Sequence, residues 1–143
     1  MQIKEGTNQM STELGFEVRI SLPYAEAIEA VTGALKAEGF GVLTRIDVKA
    51  TMKEKLNADF RPYVILGSCN PPLAHRALSA DAQVGLMLPC NVTVEELPDG
   101  SSLARIVNPI MMMNAGSLGE NPELVEVAQV AYDKLSRVAQ SLQ

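Results

Sequence analysis

Between Asn121 and Leu142, the residues Leu124, Ala128, Ala131, Leu135, Val138 and Leu142 recur at alternating spacings of four and three. That is a single apolar stripe on a long helix, and such a stripe has to be buried against a partner surface. Asn121-Pro122 opens the helix with a capping side chain and a residue whose missing N–H costs nothing in the first turn. Glu120, Glu123 and Glu126 near its start and Lys134 and Arg137 near its end suit the helix dipole. The partner surface has to come from the rest of the chain, and most of that reads as strand.

Phe16, Val18 and Ile20 alternate with Glu17, Arg19 and Ser21, the period of a half-buried strand. Gly41–Val48 alternates again, with Val42, Thr44 and Ile46 on one face. Between them Pro23 suits a helix start, Tyr24, Ile28, Val31 and Leu35 form a stripe, and Gly39 closes the helix. Asp47 caps a short helix over 48–57, with Val48, Met52 and Leu56 on one side and Lys49, Lys53 and Lys55 on a solvated face. Tyr63–Ser68 is a continuous apolar run, hence a central strand, and Asn70-Pro71 opens a helix over about 71–80. Val84–Pro89 reads as strand or buried loop. Asn91–Glu96 and Leu103–Val107 flank Pro98-Asp99-Gly100, a hairpin turn. Residues 108–121 read as loop, and residues 1–15 as a polar, frayed tail.

Helices are too few here to cover both faces of a sheet. The pattern predicts an α+β, two-layer sandwich: helices packed on one face of a largely antiparallel sheet, with a β-α-β start and a long C-terminal helix. A doubly wound parallel fold is the alternative. At 143 residues, with no linker or repeat, one domain over 16–143 is expected.

A formal charge of −5, from 12 basic against 17 acidic residues, argues against nucleic-acid binding and against docking on anionic membranes. With no Trp and only three Phe and three Tyr, stacking platforms for bases are also not expected. No stretch approaches the ~20 apolar residues of a membrane span. No leader is visible, so the expected location is cytoplasmic, with Cys69 and Cys90 as free thiols. Phosphate loops, nucleophile elbows and zinc-protease motifs are all missing.

The chemistry-bearing residues gather in Leu66–Ala74 (LGSCNPPLA) and Leu88–Cys90 (LPC). Cys69 stands at a strand end before a helix N-terminus, where N–H groups and the dipole favour a thiolate. Cys90 begins the next strand, on what should be its buried side. Three uses are open. Cys69, Cys90 and His75 would combine as ligands for zinc or another soft metal, with Met87 or one of Met111–Met113 as a fourth. Cys69 with His75 as base and Cys90 as resolving thiol would make a thiol-dependent redox enzyme. A cleft at these strand ends, with Cys69, Asn70, Pro71, Cys90, Arg45 and Arg105 around it, would bind a small apolar or anionic ligand. Against all three stands a purely structural role, and Met111–Met113 suits an adaptable contact surface.

Tyr63–Pro71 (YVILGSCNP) followed by Leu86–Val92 (LMLPCNV) resembles the paired signature of the domain-of-unknown-function 302 family. The resemblance runs from about Phe16 to the last helix. It implies a small soluble α+β protein that forms a homodimer and has no assigned reaction. Cys69, Asn70, Pro71, Pro89 and Cys90 stand at the signature positions; Met87 stands where leucine is usual, and His75 lies outside the signature. The expectation is therefore an uncharacterised protein that binds a small ligand or metal ion at the Cys69/Cys90 strand ends. The alternatives are a thiol-dependent redox enzyme or a non-catalytic homodimeric interaction domain.

Overall fold

A computed structural model describes residues 2–3, by their backbone alone, and residues 9–143. Among the described residues its sheet has seven strands: β1 (Gln2–Ile3), β2 (Gln9–Ser11), β3 (Gly15–Ile20), β4 (Gly41–Asp47), β5 (Tyr63–Cys69), β6 (Cys90–Glu96) and β7 (Ser102–Val107). Their spatial order is β1-β2-β3-β7-β6-β5-β4, and every neighbouring pair is antiparallel. Antiparallel sheets tolerate one uncovered face, and among the described residues α1 and α5 pack on one face of this one. The helices are α1 (Tyr24–Ala37), α2 (Val48–Leu56), α3 (Pro71–Ala80), α4 (Pro109–Met113) and α5 (Pro122–Ser141). The α+β sandwich expected from the sequence is the fold.

Alternation decides which side chains meet the helices. Phe16, Val18, Ile20, Val64, Leu66, Val92, Val94, Ala104 and Ile106 are buried beneath α1 and α5. Phe16 and Tyr132 of α5 stack with ring centroids 5.3 Å apart. The α1 stripe buries Ala27, Ile28, Val31 and Leu35, and the α5 stripe buries Leu124, Val127, Ala128, Ala131, Leu135, Val138 and Ala139. α2 buries nothing; Lys49 donates to the Phe60 carbonyl at 3.2 Å and Lys53 faces Asp59, so its lysines do form a solvated face.

Three helices start at Asn-Pro: Asn70-Pro71, Asn108-Pro109 and Asn121-Pro122, and each Asn side chain accepts from first-turn N–H groups. The middle one, α4, corrects the expectation of loop over 108–121; it spans only five residues, too few to show a stripe. Val84–Pro89 is also corrected: Ala82–Met87 is a 3₁₀ helix. The expected tail over 1–15 falls partly on residue 1 and residues 4–8, which lie outside the described residues. Within the rest, Gln9–Ser11 pairs with Phe16–Val18 and so belongs to the sheet. A short strand on an existing edge takes its hydrogen bonds from its neighbour, so it needs no alternating pattern of its own.

Candidate functional site

β5 ends at Cys69, and the chain re-enters the sheet at Cys90, where Ser68 and Cys90 are direct partners across the β5–β6 ladder. Gly67 makes the approach possible. A Cβ there would strike the Thr44 hydroxyl and come within 2.8 Å of the Pro89 ring. Ser68 Oγ donates to the Cys90 carbonyl at 2.7 Å, fixing the first residue of β6. Both thiols line a cavity of about 360 Å³ between the strand ends and the helix layer. Leu73 and Ala77 of α3, Val127 and Ala131 of α5, and Met113 of α4 supply much of its wall.

Asn70 holds the rim together. Its Oδ1 accepts from Leu73 N, capping α3, while its Nδ2 donates to the Glu38 carbonyl at the end of α1. The polar atoms of Asn70 and Ser68 are therefore already bonded, and what faces the cavity is nearly all apolar. Burial pushes the Cys90 thiol up to about 11, with the nearby Cys69 adding to the effect.

This geometry corrects the expected role of the α3 N-terminus. Pro71 and Pro72 have no N–H, Leu73 N goes to Asn70 Oδ1, and Ala74 N goes to the Asn70 carbonyl. The first turn leaves no free N–H for an anion or for a Cys69 thiolate. Pro71 serves as a helix starter and is exposed.

The expected partners of the thiols lie elsewhere. His75 lines an open depression with Arg76, Ser79 and Glu123, on the side of α3 away from the cavity residues Leu73 and Ala77. Among the described residues no three His, Cys, Asp or Glu side chains come together, so the Cys69/Cys90/His75 ligand set is not assembled. Nor is His75 placed to act as a base for Cys69. Arg45 is exposed on β4 and does not line the cavity. Arg105 is on the opposite face of the sheet, bound to Glu95 and Glu17. Of the four methionines considered, Met113 reaches the cavity; Met87 packs against the core and Met111 faces the other side.

That other side holds a second polar assembly. Glu17, Arg105, Thr93 and Ile65 form one row across β3, β7, β6 and β5. Glu95, whose side chain is only 5% exposed, accepts from both Arg61 and Arg105. Arg61 also lies over the Phe60 ring at 4.7 Å. Burial raises the Glu95 pKa, but the hydrogen bonds and charges of Arg105 and Arg61 outweigh it and hold the carboxyl below its ordinary value. The Thr93 hydroxyl is buried there without a partner. Sequence reasoning placed Glu95 and Glu96 on opposite faces but missed this cluster. The available signal was Arg105 itself, a cation between buried Ala104 and Ile106 whose parity points it outward.

The two thiols, the Asn70 cap and the Pro89–Gly67 contact come from the two segments that carry the family resemblance. No curated protein matches the chain. A solved structure, that of an uncharacterized conserved protein DUF302 from Bacillus stearothermophilus, is 32% identical with a TM-score of 0.80; the match covers 92% of this chain and 100% of that one. The family described as "Domain of unknown function DUF302" matches residues 16–142. With nine-tenths of the chain inside that match, this protein belongs to the DUF302 family.

Proposed function

We propose that the protein binds a small apolar molecule in the cavity beside Cys69 and Cys90. The observation that carries this reading is a cavity of about 360 Å³ whose wall is almost wholly apolar and whose polar neighbours, Ser68 and Asn70, already have hydrogen-bond partners. A site of this kind selects by shape and dispersion, with little to offer a charged ligand. Leu43 and Leu78, both exposed, line the same cavity and extend its apolar surface towards solvent.

Naphthalene is a suitable probe, and binding to the folded state alone raises the melting temperature. The expected result is a saturable rise in melting temperature that Ala74→Leu removes, because Ala74 lines the cavity at a half-buried helical position. An unchanged melting temperature, or a rise that survives Ala74→Leu, defeats the proposal.

We also infer a homodimer, a reading supported by the sheet face that carries no helix among the described residues, where Tyr63, Ile65, Leu103 and Val107 are only half buried. Sedimentation equilibrium at micromolar concentration reads the mass directly, and a 15.4 kDa species throughout overturns it.

A further inference from the structure

Three sulfur-bearing side chains line the one cavity, and they come from three separate parts of the chain: Cys69 at the end of β5, Cys90 at the start of β6, and Met113 at the end of α4. Cys90 sits directly across the ladder from Ser68, the neighbour of Cys69. No carboxylate, imidazole or guanidinium is among the described lining residues, and the polar side chains next to the thiols in sequence or across the ladder, Ser68 and Asn70, are engaged elsewhere. A hard cation would find no carboxylate here, only the Thr44 hydroxyl. A soft monovalent cation needs none, because thiolate and thioether sulfurs are the donors it prefers.

We propose that Cys69, Cys90 and Met113 form a binding site for a soft monovalent metal ion of the copper(I) or silver(I) class. Binding is ligand exchange without oxidation or reduction: two S–H bonds break, two metal–thiolate bonds form, and two protons leave to solvent. Met113 adds a neutral thioether. The complex carries one net negative charge. The ion enters past Cys69, the more exposed of the two thiols. This goes beyond the apolar-ligand reading and shares only the cavity with it.

The test is anaerobic titration of the reduced full-length protein with copper(I) in the presence of a chromophoric copper(I) competitor. One ion per chain and release of two protons per ion are expected. Cys69→Ser and Cys90→Ala should each lose high-affinity binding. Met113→Leu should weaken it about tenfold, the low end of what a metal site loses with one supporting group. His75→Ala should change nothing. If Cys90→Ala fails to fold, the conservative Cys90→Ser takes its place, and iodoacetamide blocking of Cys69 in the wild-type protein tests the first thiol without a substitution. Binding that survives loss or blocking of Cys69, or that falls in His75→Ala, overturns the proposal, as does copper left wholly with the competitor. Naphthalene binding should persist in Cys69→Ser, so the two readings of the cavity fail separately.

Discussion

On the helix-covered side of the sheet, Val64, Leu66, Val92 and Val94 lie under α1 and α5, and the layer opens into a cavity where the strands end. On the bare side, one residue away along the same strands, Glu95 is nearly as deeply buried as those valines, with no helix among the described residues above it. The covering there is made by Arg61 and Arg105 laid across the carboxylate, their own heads about half exposed. The covered face thus buries apolar area around an apolar hollow, while the open face buries a charge beside a more polar depression lined by Glu17, Tyr63, Thr93 and Arg105. Burial of an ionised group does not require a second layer; it requires two donors long enough to lie over it.

The largest expected effect tests the covered face. Leu66→Ala should lower stability by about 3 kcal/mol in a denaturant titration, as large-to-small changes in packed cores do, against under about 1 kcal/mol for Ile65→Ala on the bare face. Equal losses would mean that the bare face is covered in solution. Next comes Cys90. A thiol moved from 9.0 to about 11 has about 100-fold less thiolate at a given neutral pH, so iodoacetamide should label Cys69 well before Cys90. Its neutral form contributes stability that is complete below pH 9 and is lost as pH climbs through about 11.

Arg105→Met comes third. It leaves Glu95 with Arg61 alone and should cost about 2 kcal/mol, more than a surface ion pair because the carboxylate stays buried. A loss below about 0.5 kcal/mol would place Glu95 among ordinary solvated pairs. The fourth test is acid titration. The depressed Glu95 pKa stabilises the fold above the ordinary value of 4.5, and that contribution drains away as pH falls through the lower folded value. Glu95→Gln should flatten this part of the acid limb. The smallest effect has the opposite sign: Thr93→Val removes an unpartnered buried hydroxyl and should be neutral or stabilising by up to about 1 kcal/mol.

Much of the fold could be read from the sequence because its signals are local. The stripes of α1 and α5, the Asp47 and Asn70 caps and the turn at Pro98–Gly100 each act within a few residues, and each lies where expected. The cysteine cavity was half legible: strand and helix starts placed Cys69 and Cys90, but the spacing of Cys69 and His75 along the chain did not reveal that α3 turns His75 outward. Two prolines in the first turn of α3 were visible throughout, and with them the loss of its anion-binding N–H groups. The Glu95 cluster was the least legible, since Arg61 lies 34 residues away in sequence and only the strand order brings it near.

Glu38 receives a hydrogen bond from Asn70 on its carbonyl and an ion pair from Arg137 on its carboxylate. The end of α1, the start of α3 and the last turns of α5 are therefore fastened at a single residue on the cavity's border. Any occupant that spreads the wall must strain this knot first. Amide exchange at Glu38 and Gly39, whose N–H groups close the last turn of α1, should accelerate or slow with occupancy before exchange changes at the far end of that helix.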